Sequence, residues 1–114
     1  MTTQAIPRNE WKTFLDAFSR QHEGWLATVE VLGPDIGAQE EVHDLPLEGI
    51  SANAKDDEPE TIAISLGKTS EDHVTHTVTQ PTRIWLEQTE QGANAALEIE
   101  SADNVKTLLR FHSA

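Results

Sequence analysis

Trp11, Phe14, Leu15 and Phe18 stand at i, i+3, i+4 and i+7, which places four large apolar side chains on one stripe of a helix. Lys12, Thr13, Asp16, Ser19 and Arg20 occupy the other faces. Pro7 suits a first helical turn, where its missing N–H is not needed, and Gly24 suits the residue that stops a helix. Glu10 near the start and Arg20 and His22 near the end match the helix dipole. The pattern predicts a helix over about 7–22.

After Gly24 the apolar period changes from 3.6 to two. Trp25, Ala27, Val29 and Val31 alternate with Leu26, Thr28, Glu30 and Leu32, and Gly33-Pro34-Asp35-Ile36-Gly37 carries turn chemistry. A second strand region runs over 41–52. Ile50 is out of phase with Leu45 and Leu47, and Gly49 between them predicts a β-bulge or a break. Ile62, Ile64 and Leu66 form the next strand, closed by Gly67. Val74, His76 and Val78 alternate with threonines up to Pro81. Ile84 and Leu86 open another strand, turned by Gln91-Gly92. In the last hairpin a two-residue Asp103-Asn104 turn would set Ile99 against Leu108. A three- or five-residue loop sets Leu97 or Ile99 against Leu109 and opposes Glu98 or Glu100 to Arg110 or Lys106. Matched faces and opposite charges favour the odd-length loop.

No second helix is available for a parallel crossover, so the sheet is expected to be mostly antiparallel. The expectation is an α+β domain spanning 1–114: one N-terminal helix packed on a strongly bent sheet or small barrel of six to seven strands, with the β region over about 25–112.

Composition tightens this picture. Hydrophobic residues make up 37% and mean hydropathy is −0.48, values that lean toward disorder, so the case for folding rests on the patterning above. There are 8 Lys plus Arg against 20 Asp plus Glu, for a net charge of −12, and no cysteine. Disulfide frameworks and cysteine-ligated metal centres are excluded. Binding to nucleic acid or to an anionic membrane surface needs positive charge the chain lacks. No window approaches a membrane span, and the N-terminal residues have no long apolar run. The expected location is the cytoplasm. The segment 1–24 is neutral, so the whole excess belongs to the β part, and it is densest between Glu30 and Glu60.

Few residues offer chemistry. Glu71-Asp72-His73 with His76 is the best metal or acid–base group. On a strand, i and i+3 point to opposite faces, so joint ligation by His73 and His76 needs a bend, or a remote ligand such as His43 or His112. The plainer reading has His73 at a turn and His76 half-buried on its strand. Asp56-Asp57-Glu58 could attract a divalent cation, but EF-hand spacing is absent. No nucleophile elbow, Ser-x-x-Lys, dinucleotide fingerprint or P-loop occurs. Trp85 and Leu108 oppose the parity of their apolar neighbours, which puts two large apolar groups on the nominally polar face. Such a pair marks an interface between copies or with another protein, unless the helix or a loop covers it.

Ile6-Pro7-Arg8-Asn9-Glu10-Trp11 with Phe14-Leu15 and His22-Glu23-Gly24-Trp25, then Asp44-Leu45-Pro46-Leu47-Glu48-Gly49-Ile50, Pro81-Thr82-Arg83 and Thr107-Leu108-Leu109-Arg110-Phe111, are similar to a family of short bacterial proteins known only as a domain of unknown function. The resemblance covers nearly the whole chain. It implies a stand-alone unit of bacterial type and supplies no activity, ligand or site residue. The expectation for function is therefore an acidic, non-enzymatic binding or protein-interaction module without a cofactor. It would form a homodimer or bind a protein partner at Trp85 and Leu108. The alternative is a small hydrolase or metal-dependent enzyme using His73, His76 and nearby acids.

Overall fold

The computed structural model describes residues 2–34, 37–55, 58–67, 72–91 and 94–112. Among them are one helix, α1 (Trp11–His22), and eight strands: β1 (Thr2–Ala5), β2 (Leu26–Gly33), β3 (Gly37–Lys55), β4 (Glu58–Leu66), β5 (Val74–Thr79), β6 (Pro81–Gln88), β7 (Asn94–Ser101) and β8 (Lys106–His112). They form one antiparallel sheet in the order β1-β6-β7-β8-β2-β3-β4-β5. The α+β expectation holds. The sheet bends but does not close: β1 and β5 remain at opposite ends of the strand order, so it is not a barrel.

The bend lies in β3. This 19-residue strand pairs with β2 through Pro46 and with β4 from Leu47 onward. Its register slips twice against β2, between Ala27 and Val29 and between Val29 and Glu30. It slips again between Leu47 and Gly49, where the sequence placed a bulge. Each slip leaves an extra residue that kinks the strand and increases its twist. Asp44, at φ 49°, sits at the bend, where its amide donates to the Thr28 hydroxyl and that hydroxyl donates to an Asp44 carboxylate oxygen.

The bent sheet wraps its inner face around α1. Trp11, Leu15 and Phe18 pack with Ala27, Val29, Leu47, Ile62, Ile64, Leu66, Ile84, Leu97, Ile99 and Leu109 in one core. Period-two alternation in β4, β6, β7 and β8 supplies this face. The helix stripe runs one turn further than its four large apolar residues. His22 is buried, its ring stacks on Phe18 with centroids 4.1 Å apart, and its Nδ1 lies 2.9 Å from the Phe18 carbonyl oxygen. A carbonyl only accepts, so that nitrogen carries the proton. Ser19 secures α1 to β3: its hydroxyl accepts from the Ile50 amide at 2.8 Å and donates toward the Leu15 carbonyl at 2.7 Å.

Two expectations need correction. The helix begins at Trp11, not near Pro7; residues Arg8–Glu10 form a 3-10 turn. Pro7 is extended (ψ 141°) because the chain has just left a strand, with the Ile6 amide bonded to the Ile84 carbonyl. The strand count is eight, not six or seven. The additional strand is β1, an edge strand whose residues are all exposed, so no apolar alternation announced it. The closing hairpin has the odd-length turn: Leu97 opposes Leu109, Glu100 opposes Lys106, and the Ser101 amide bonds the Val105 carbonyl around Ala102-Asp103-Asn104.

Candidate functional site

Alternation puts Ile84 and Leu86 inward on β6, so Trp85 faces outward; on β8, Thr107 and Leu109 face inward and Leu108 outward. The register then joins them. Trp85 opposes Ala5 on one side and Glu98 on the other, and Leu108 opposes Glu98 and Glu30. The outer face thus carries a row Ala5–Trp85–Glu98–Leu108–Glu30, with Trp85 and Leu108 about 10 Å apart across two strand spacings. The helix lies on the opposite face and does not cover the row. Trp85 and Leu108 are half-buried by their neighbours in the sheet. The Trp85 indole N–H donates to Glu100 Oε1 at 2.9 Å, and Arg110 stands 3.3 Å from Glu30.

Glu98 is the residue that sequence reasoning missed. Its carboxyl lies between two apolar side chains, and burial pushes its pKa up; Glu100 and Glu87 push the same way, and Lys106 pulls it down. The signal was present in the alternation, since the turn length that pairs Leu97 with Leu109 also sets Glu98 opposite Leu108. The folded state holds this proton more tightly than the unfolded chain does, so stability falls as pH rises from the ordinary glutamate range (~4.3) through the raised value. Glu98→Gln removes the cost of the partly desolvated charge. The variant is expected to melt slightly above the wild type at pH 7 and together with it near pH 4, which paired thermal melts measure. A variant that melts no higher at pH 7 would contradict a desolvated carboxylate.

The described side chains of His43, His73 and His76 sit in separate surroundings. His73 Nε2 lies 2.6 Å from Glu48 Oε2, an exposed contact between the start of β5 and β3. His76 stands opposite Ile64 and lines a cleft of about 150 Å³ with Val31 and Val105. His43 is engaged by Glu40 at 2.9 Å and Asp44 at 3.4 Å. Among the described residues no group of three or more His, Asp or Glu could hold a metal ion. Glu71, Asp56 and Asp57 lie outside the described residues, as do the side chains of Glu58 and His112.

A polar groove of about 300 Å³ runs between α1 and β3, lined by Asp16, Ser19, Arg20, Glu48, Ser51 and Ser65. Arg8, whose guanidinium carbon lies 4.7 Å from the Trp11 ring centroid, pairs with Glu60 at 2.8 Å. The groove joins helix and strand residues some thirty positions apart, which no local spacing reveals.

These features define an antiparallel α+β protein with one α-helix among the described residues, whose outer sheet face mixes aromatic, aliphatic and acidic groups. The chain belongs to DUF5335, a family of unknown function, whose model matches residues 2–114. It is also 31% identical over 114 residues to an "Uncharacterized protein" of Aquifex aeolicus (strain VF5), covering 100% of this chain and 96% of that one. No solved structure matches the chain. Among the described residues no helix is long and apolar enough to cross a membrane.

Proposed function

We propose that the protein is a non-enzymatic interaction module that docks a basic segment of a partner protein on the outer row around Trp85, Glu98 and Leu108. The observation that carries this reading is the register that sets Glu98 between Trp85 and Leu108 on the outer face, where its carboxyl is partly desolvated. A partly desolvated carboxylate flanked by apolar surface is complementary to an Arg or Lys side chain whose neighbours are apolar. Glu87 and Glu100 add negative charge beside Glu98, and Trp85 supplies the kind of anchor that dominates protein interfaces.

The test is calorimetric titration with a synthetic peptide alternating Arg and Leu. The wild type is expected to bind it, and Trp85→Ala to weaken binding by at least ~5-fold, the effect of losing about 1 kcal/mol at an anchor. Equal affinity of both proteins would mean that the peptide reads only the net charge of −12 and would overturn the proposal.

A further inference from the structure

Strand β5 lies at one end of the sheet and, among the described residues, pairs in a ladder with β4 alone; just past its end the Gln80 carbonyl accepts from the Ala102 amide of the β7–β8 turn. Natural sheets protect such edges with charged side chains, proline or a covering element. In β5, Val-Thr-His-Thr-Val-Thr, there is no Asp, Glu, Lys or Arg, although the chain carries a net charge of −12. Val74 is exposed at 38%, the one large apolar residue so exposed among those described. The other end strand, β1, has four residues and no large apolar side chain.

The edge is also self-complementary. Residues 74–78 read the same in both directions, Val-Thr-His-Thr-Val, centred on His76. We propose that two copies of this chain pair through their β5 edges, antiparallel, about a two-fold axis at His76. Val74 then opposes Val78 of the second copy and Thr75 opposes Thr77. The pairs are then Val with Val and Thr with Thr, β-branched side chains suited to strands, and Thr–Thr pairs add hydrogen bonds across the seam. Because Val78 is on the inner face, Val74 of the second copy meets it beside the cleft lined by Val31, His76 and Val105. An uncharged edge is where two strongly acidic molecules approach with least repulsion. The isologous contact closes as a dimer, whereas pairing β5 with β1 of another copy would run on as an open chain.

The test is light scattering coupled to size exclusion, from ~10 μM to ~1 mM, the range suited to a small interface. The wild type is expected to shift from 12.6 kDa toward twice that mass. A Thr75→Lys, Thr77→Lys double variant sets lysine against lysine across the axis and is expected to stay monomeric with an unchanged circular dichroism spectrum. Thr75→Glu with Thr77→Glu is expected to stay monomeric alone, and a mixture of the two double variants to recover the dimer mass. Trp85→Ala is expected to dimerise as the wild type does, which separates this proposal from the docking face. A wild type still monomeric at ~1 mM, a dimer that survives both lysines, a mixture that fails to recover the dimer, or masses beyond the dimer would each overturn it.

Discussion

Trp11→Ala is expected to cost about 3–5 kcal/mol, the range for truncating a buried Trp or Phe. Trp11 is 2% exposed at the start of α1 and packs within the single core. Its indole N–H donates to the Ile6 carbonyl at 2.9 Å, and the Arg8 guanidinium lies over its ring. One side chain therefore ties the helix to the turn that precedes it and to the end of β1. Truncation leaves a cavity, an unpaired carbonyl at Ile6 and a loosened 3-10 turn. A domain of this size has about 5–15 kcal/mol of stability in total, so the variant should unfold at a far lower urea concentration, with a slope like that of the wild type. Trp11→Phe keeps most of the volume and should recover more than half of the loss. Little change in the alanine variant would mean that α1 is not anchored through this residue.

Gly67→Ala is expected to cost about 3 kcal/mol, combining backbone strain and overpacking. Gly67 ends β4 at φ 118°, a conformation L side chains rarely adopt, with its amide bonded to the Pro46 carbonyl at 2.8 Å. A Cβ there would lie 2.5 Å from the Asp72 carbonyl oxygen and 2.8 Å from the His73 Cα. Both are backbone atoms, so relief requires moving the chain that leads into β5 and disturbs the His73–Glu48 contact. Gly24→Ala is the comparison: φ is 86° but nothing lies within 4 Å of the new Cβ. That variant should lose only about 1 kcal/mol, from strain alone. Equal losses in the two proteins, measured by urea titration, would show that the crowding at Asp72 and His73 is relieved without cost.

Alternation made the sheet readable in sequence, and its exceptions mark where reading stopped. Ile62, Ile64 and Leu66 on β4 and Ile84 and Leu86 on β6 bury one face each, so their period shows the strand and its inward side. Ile50, out of phase with Leu45 and Leu47, and Gly49 between them betrayed the bulge. By contrast β1 buries nothing, and a strand held only by its ladder with β6 leaves no hydrophobic pattern. The helix start shifted because Pro7 is compatible with a first helical turn and with an extended residue; the Ile6–Ile84 bond, a tertiary contact, chose the second. The outward parity of Trp85 and Leu108 was legible, and the register across β7 was needed to show that Glu98 stands between them. The buried histidine is His22, four residues beyond Phe18 on the same helical stripe, while His76 is half-buried. The His73–Glu48 contact joins residues 25 positions apart and had no sequence signal.

The docking face is tested most directly by the amide spectrum of isotope-labelled protein titrated with the Arg–Leu peptide. Shifts are expected only along the outer row, at Trp85, Glu98, Leu108 and their neighbours on β6, β7 and β8. Shifts concentrated instead along the acidic stretch from Glu40 to Glu60, with the Trp85 and Glu98 amides unmoved, would contradict it.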